Sequence, residues 1–181
     1  MAFGIIDLDE TSRYELNSTK YIKHKDYDPD VLRNDIAVIV LPKALTLAIK
    51  NKYGIAKIRL PSRKQAKMET FAGKYATASG WGKIDGSSGL SQTLNYANVL
   101  MITNAECAEV YSTAYVYSST LCTFGNGTKN ICQGDSGGPL QYQESDKKWT
   151  QIGITSFSAA DNCYDYPSGF TRVSYYLKWL S

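Results

Sequence analysis

From residue 75 onward the chain is a series of strand-length runs, 75–80, 94–102, 119–122, 139–142, 149–156 and 169–173, separated by glycine-rich or polar turns. Short runs rich in Val, Ile, Thr and Tyr suit a pleated, half-buried surface, and their spacing points to a closed barrel or a sandwich. The 14 glycines and 14 tyrosines agree with an all-β fold. Residues 85–89, Asp-Gly-Ser-Ser-Gly, read as a surface loop, and Asn104-Ala105-Glu106 opens a short helix. At the end, Val173, Tyr176, Leu177 and Leu180 share one helical face, so a terminal helix over 174–181 is expected to pack on the barrel.

Upstream, residues 36–41 (Ile-Ala-Val-Ile-Val-Leu) are a continuous apolar run ended by Pro42, which reads as a strand buried on both faces. The polar pair Asn34-Asp35 precedes it and is pressed against the core. Residues 43–72 carry mixed signals, with Pro61 and the basic cluster Arg63-Lys64-Gln65-Ala66-Lys67, and suit a connecting segment. A chain of 181 residues holds one domain or two small ones, and 43% hydrophobic residues are ample for a core.

The net charge of +3 is small and the Lys and Arg residues are scattered, which argues against a nucleic-acid role. No apolar run reaches the length of a membrane span. Four cysteines are compatible with two disulfides and an oxidising, extracellular compartment. Cys107, Cys122, Cys132 and Cys163 are 15, 10 and 31 residues apart, without a C-x-x-C pair or a nearby histidine, so a zinc site is not indicated. Sequons at Asn17 and Asn126 agree with secretion. The first residues meet Asp7 and Asp9 before any apolar h-region develops, so no signal peptide is read here, and the chain looks like a mature or incomplete piece. No metal or organic cofactor is implied.

Residues 132–140, Cys-Gln-Gly-Asp-Ser-Gly-Gly-Pro-Leu, are where chemistry concentrates. Gly134, Gly137 and Gly138 free the backbone to turn sharply around Ser136, letting amides near Gly134 and Ser136 converge on one developing oxyanion. The run also satisfies G-x-S-x-G, but a nucleophile elbow requires a helix after the serine and a later histidine, and neither follows. A serine hydroxyl needs a general base, and the sole histidine is His24, in a basic stretch eleven residues before Asp35, where a solvated loop histidine is expected.

From Phe3 to Ser181 the chain resembles the chymotrypsin-like serine endopeptidases of the trypsin family, and is most similar to secreted digestive members from arthropods. The resemblance rests on Asn34-Asp35-Ile36-Ala37, on Ser79-Gly80-Trp81-Gly82, on residues 132–140, on 154–158 (Ile-Thr-Ser-Phe-Ser) and on 167–173 (Pro-Ser-Gly-Phe-Thr-Arg-Val). It implies an all-β double barrel: residues 1–42 as the remainder of an incomplete first barrel, 43–72 as the inter-barrel linker, 73–173 as a complete second barrel and 174–181 as a C-terminal helix. It makes Ser136 the nucleophile, the Gly134 and Ser136 amides the oxyanion hole, and Asp35 the acid that orients the catalytic imidazole. Asp135 would pair with an N-terminal amine released by zymogen cleavage. It pairs Cys107 with Cys122 and Cys132 with Cys163.

Chymotrypsin-type spacing places the histidine about 45 residues before the aspartate, hence about ten residues ahead of Met1. The Ala-Ala-His-Cys and Ile-Val-Gly-Gly segments of the family are absent, so truncation and near-inactivity of the printed chain are expected. Asn130 falls at the base of the substrate pocket, where members cutting after Lys or Arg carry aspartate, and an ordinary turn role for it stays open. Ser156, Phe157, Ser158 and Ser168 line the pocket, which predicts a non-tryptic preference for Leu, Met, Tyr or Phe. The expected partners are protein or peptide substrates and protein protease inhibitors, with a monomer as the complete form. The alternative is a non-catalytic homologue acting as a binding module.

Overall fold

The computed structural model describes residues 1–45, 54–63, 71–85, 87–159 and 162–181. In chain order its elements are β1 (Ala2–Phe3), β2 (Tyr14–Glu15), β3 (Lys20–Lys23), β4 (Ala37–Val40), β5 (Tyr75–Gly80), β6 (Asn95–Ile102), α1 (Asn104–Tyr111), β7 (Thr120–Phe124), β8 (Pro139–Gln143), β9 (Trp149–Phe157), β10 (Ser168–Arg172) and a 3₁₀ turn (Val173–Tyr176).

The last six strands close one antiparallel barrel in the order β10-β7-β6-β5-β8-β9. Period-two alternation sends Ala76 and Ala78 of β5, Val99 and Met101 of β6, Leu121 of β7, Leu140 of β8, Ile152 of β9 and Phe170 of β10 into one core. Leu121, Leu140, Ile152 and Phe170 are at most 1% exposed; burying each large side chain is worth about 1.5–3 kcal/mol. Gly153 lets β8 and β10 approach: a Cβ there would lie 3.1 Å from the Cβ atoms of both Leu140 and Phe170. Register shifts at Leu140/Gln141 and Gly169/Phe170 bend the barrel beside the strand ends that carry the site.

The upstream part forms two small sheets, β1 with β2 and β3 with β4. The expected strand at 36–41 is realised as β4, but it is not buried on both faces. Its Ile39 is 54% exposed, as are 72% of Tyr21 and 48% of Ile22 on β3. Among the described residues strand β4 pairs with β3 alone, so an apolar run that could fill a closed barrel has solvent on one side. Residues 6–8 dock on the second barrel through Leu8 N–H to Gln92 O at 3.0 Å and Leu94 N–H to Ile6 O at 2.6 Å.

Helix α1 starts on a capping box: Thr103 accepts the Glu106 amide while Glu106 accepts the Thr103 amide. The expected C-terminal helix appears as the 3₁₀ turn Val173–Tyr176, followed by Trp179 and Leu180 amides bonded to Tyr176 O at 2.9 Å. Three residues per turn put buried Val173 and Tyr176 on one side, so the tighter winding serves the same contact. Of the expected linker, residues 46–53 and 64–70 lie outside the described residues, and the basic cluster is described only at Arg63.

Candidate active site

The Ser136 loop turns on Gly134 and Gly137, whose φ values of 95° and 79° are left-handed. Gly138 is needed for close approach, since a Cβ there would lie 2.8 Å from Asp135 O and 3.0 Å from Ser79 O. The loop is stapled to β9 by Gly137 N–H to Thr155 O and Thr155 N–H to Gly138 O, both 2.9 Å. Within it, the Asp135 amide donates to Cys132 O at 3.1 Å and the Gly138 amide to Asp135 O at 2.9 Å. Among the described residues the amides of Gly134 and Ser136 have no acceptor, leaving two donors beside the serine hydroxyl.

Asp135 turns its carboxylate away from Ser136 and toward the start of the second barrel. Its Oδ1 accepts the Gly82 amide and its Oδ2 the Cys132 amide, each at 2.9 Å. No ion-pair partner for it occurs among the described residues. It borders a cavity of about 280 Å³ walled by Ala78, Gly82, Ile84, Tyr96, Ile131 and Tyr164. Burial, then the charges of Asp85 and Asp135, push the Tyr164 phenol up. The glycines of Ser79-Gly80-Trp81-Gly82 acquire a reason here: a Cβ on Gly80 would sit 2.0 Å from Asp135 Oδ1, and one on Gly82 2.5 Å from the carboxylate carbon.

Asp35 stands at the entry to β4, after a turn in which Leu32 (φ 53°) and Asn34 (φ 55°) are both left-handed. Ser156 Oγ donates to Asp35 Oδ2 and Thr171 Oγ1 to Asp35 O, both at 2.7 Å. Tyr176 Oη donates to Asn34 Oδ1 at 2.9 Å, so β9 and β10 hold the acid itself and the 3₁₀ turn holds the residue before it. Burial, then the negative charges of Asp35 and Asp28, raise the Tyr27 phenol above its ordinary value.

Asp35 and Ser136 face one cavity of about 600 Å³, with Tyr27, Lys23, Ile154 and Thr155 among its walls. His24 does not line it. The ring of His24 packs against Tyr176 and Trp179 at centroid distances of 5.6 and 5.3 Å, and its Nδ1 accepts the Asp26 amide at 3.2 Å. The solvated loop expected around His24 is therefore a half-buried aromatic contact. Lys23 holds its ammonium over the Tyr27 ring, 5.3 Å from the centroid.

A second cavity, of about 270 Å³, opens on the other side of Ser136 between residues 131–133 and 155–158. Phe157 and Ser158 wall it, and Ser156 lines it while giving its hydroxyl to Asp35. The Phe157 ring lies on Gly169, where a Cβ would fall 2.1 Å from the ring. Ser168 is fully buried on β10, its Oγ has no partner among the described residues, and it does not reach this cavity. Asn130 spends its carboxamide on the backbone, donating to Tyr166 O at 2.9 Å and accepting the Ile131 amide at 3.0 Å. It borders the Asp135 cavity rather than the one beside Phe157.

Both disulfides form as the resemblance implies, Cys107–Cys122 and Cys132–Cys163. Asn17 and Asn126 are exposed. No site role for Thr171, Thr155, Tyr27 or Tyr176 is read from the sequence. Their roles arise from cross-strand placement, for which single-sequence spacing carries no signal.

Residues 2–180 match the family described as Trypsin. The chain is similar to a brachyurin of Leptuca pugilator, 38% identical over 174 residues that cover 95% of this chain and 70% of the relative. It is 36% identical to a chymotrypsin of Phaedon cochleariae, covering 94% of this chain and 57% of the relative. For a collagenase of Hypoderma lineatum the identity is 34%, covering 97% and 65% respectively. A solved structure described as HL collagenase superposes with a TM-score of 0.80 at 34% identity, covering 97% of this chain and 70% of that one. The chain spans 57% to 70% of the length of these relatives. Among the described residues no helix is long and apolar enough to cross a membrane.

Proposed function

The chain belongs to the trypsin family of serine proteases, and we propose that it carries the nucleophile, the oxyanion donors and the orienting acid of an extracellular endopeptidase. One observation supports this above the rest: Asp35 and Ser136 face the same cavity while the Gly134 and Ser136 amides have no other acceptor among the described residues. In the reaction, Ser136 Oγ attacks the substrate carbonyl carbon and its proton passes to an imidazole held between Ser136 and Asp35. The carbonyl oxygen, now anionic, takes hydrogen bonds from the two amides. The C–N bond then breaks, the leaving amine takes the proton from the imidazolium, and water hydrolyses the acyl-Ser136 ester by the same route.

His24 is bound elsewhere, so the imidazole must come from outside these 181 residues. Losing the base of such a triad costs on the order of 10⁶ in turnover, about 8 kcal/mol of barrier. The chain alone is therefore nearly inactive. Asp135, with two amides and no cation, is suited to an N-terminal ammonium entering its cavity, which would lock the loop. The cavity beside Phe157 presents an aromatic wall and no carboxylate, in keeping with Leu, Met, Tyr or Phe before the scissile bond. Disulfides and exposed sequons at Asn17 and Asn126 suit a secreted protein that, when complete, meets protein substrates and protein inhibitors as a monomer.

The test is hydrolysis of an activated peptide ester by the 181-residue chain with and without free imidazole. Near-background turnover alone, rising with imidazole and abolished by Ser136→Ala, is the expected result. Turnover without imidazole at the level of a complete serine protease, or equal turnover in Ser136→Ala, overturns the assignment. The competing reading, a non-catalytic binding module, draws on the seating of His24 away from the cavity, and it predicts no response to imidazole.

A further inference from the structure

The turn that follows β7 holds two asparagines whose carboxamides are spent differently. Asn130 gives both ends of its own to the backbone, donating to Tyr166 O at 2.9 Å and accepting the Ile131 amide at 3.0 Å. Asn126 is exposed, and neither its carboxamide nor its backbone has a hydrogen-bond partner among the described residues. Its neighbours fix the turn without it: the Thr128 and Lys129 amides donate to Gly125 O, each at 3.3 Å, and the Gly127 amide to Tyr164 O at 3.0 Å. Asn126 and Gly127 are both left-handed, at φ 53° and 70°, a conformation that asparagine and glycine tolerate. The turn is thus held at its base and open to solvent at Asn126. Thr128 completes an Asn-x-Thr sequon with Gly127 in the middle position.

We propose that Asn126 carries an N-linked glycan that stands over the mouth of the Asp135 cavity. The inference rests on the extracellular reading given above. Asn126 Nδ2 displaces the diphosphate from C1 of a lipid-linked oligosaccharide: the N–C1 bond forms, the C1–O bond to the diphosphate breaks, and the carboxamide gives up one proton. Asn126 has no hydrogen bond among the described residues to lose by this, whereas Asn130 would lose its bonds to Tyr166 and Ile131. Thr128 and Lys129 line the Asp135 cavity together with Tyr164. Asn126 is two residues from that lining, a span of at most about 7 Å, which a branched sugar chain exceeds. The cavity walls include Ile84, 57% exposed, and Tyr96, 74% exposed. Large apolar side chains at a rim favour contacts between molecules, and a bulky, hydrated sugar rooted beside them opposes such contacts. Asn17 is exposed too, but it lines none of the cavities beside Asp35, Ser136 or Asp135, so a sugar on it would cover a different face.

The test sends the 181-residue chain into the secretory lumen of mammalian cells behind a cleavable leader. Peptide-N-glycosidase in heavy-oxygen water then converts each glycosylated asparagine into a heavy aspartate. The sugar is joined as the chain enters the lumen, so retained and secreted molecules both report it. Mass spectrometry should find the heavy label at position 126 of the wild-type chain and lose it in Thr128→Ala, which keeps the asparagine. An unmodified Asn126 in a chain whose cysteines are all paired overturns the inference alone. Cysteines that stay open to maleimide in the lumen overturn the extracellular reading beneath it. Shielding is read by acylating the folded chain with a bulky succinimidyl ester before and after the sugar is removed. Lys129, exposed on the same turn, should react severalfold faster once the sugar is gone, while exposed Lys148 of the β8–β9 turn keeps its rate. Equal rates at Lys129 overturn the placement of the sugar over the cavity.

Discussion

Asp135 and Gly82 are in contact through a carboxylate and a backbone with no side chain between them: the Gly82 amide donates to Asp135 Oδ1 at 2.9 Å, and a Cβ on Gly82 would fall 2.5 Å from both Cγ and Oδ1. The turn opening the second barrel is thus shaped around the residue preceding the nucleophile. Gly82→Ala should expel the Asp135 carboxylate and with it misalign the Gly134 and Ser136 amides. Imidazole-supported ester hydrolysis is expected to fall by about 10²–10³-fold, the cost of losing an oxyanion donor, with the barrel still folded by circular dichroism. Full turnover in the variant would show that Asp135 does not set the loop.

Ser156 donates to Asp35 across the two parts of the chain, 121 residues apart in sequence. A hydrogen bond to a charged acceptor contributes about 1.5–3 kcal/mol, and the carboxylate left behind lies partly out of water. Ser156→Ala should therefore lower unfolding free energy by about 2 kcal/mol in a urea titration. It also frees Asp35 to rotate, so imidazole-supported turnover should drop along with stability. A melt indistinguishable from wild type would remove Ser156 from the support of the acid.

The parts of the site legible in the sequence were those that chemistry confines to a short segment. Ser136 and its glycines had to lie together, because adjacent amides build the oxyanion donors and only glycine takes the positive φ at positions 134 and 137. Asp35 showed as a polar pair before an apolar run. Neither the Thr171 bond to the Asp35 carbonyl nor the Tyr27 wall could be read, because each joins residues whose proximity is a product of strand order. The run at 36–41 showed a strand correctly and its burial incorrectly, since apolar side chains reveal what a strand can bury and not what is there to cover it. Asn130 was legible as a residue before Cys132, but its carboxamide turned to the backbone of Tyr166 and Ile131.

Primary specificity is predicted from the same region. Asn130 Nδ2 and Oδ1 are both engaged, and Phe157 and Ser158 bring no charge. A mixed peptide pool digested in the presence of imidazole and read by mass spectrometry should show cleavage after Leu, Met, Phe and Tyr. Cleavage chiefly after Lys and Arg would contradict an uncharged pocket.

Arg59 grips Asp146 with two hydrogen bonds, 2.7 and 3.0 Å, tying residues 54–63 to the β8–β9 turn. The Arg59 hydrogen bond, followed by the Lys148 amide, holds the Asp146 carboxyl below the ordinary carboxylate value. A group depressed in the folded state stabilises it above its unfolded pKa and loses that contribution as pH falls through the folded pKa. The melting-temperature gap between wild type and Asp146→Asn should therefore be present near neutrality and close as pH falls below about 4. A gap that persists or widens in acid would reverse the sign. Both groups are exposed, so the gap is expected to be small and to shrink further with added salt.

Tyr21 and Ile39 sit opposite each other on β3 and β4, 72% and 54% exposed, on a sheet of two strands. Such a sheet leaves backbone donors and acceptors along its outer edges, and large apolar side chains beside them make edge-to-edge pairing between molecules favourable. The chain alone should consequently self-associate at concentrations where its closed second barrel would not. Placing opposite charges at the cross-strand pair, Tyr21→Glu with Ile39→Lys, keeps an attractive contact within the molecule and charges the exposed face. Light scattering should then show a larger monomeric fraction for the double variant, with the barrel melt unchanged because its core lies on other strands. Equal association in both proteins would place the contact elsewhere, and a monodisperse wild-type chain would show that the exposed β3–β4 face does not drive association.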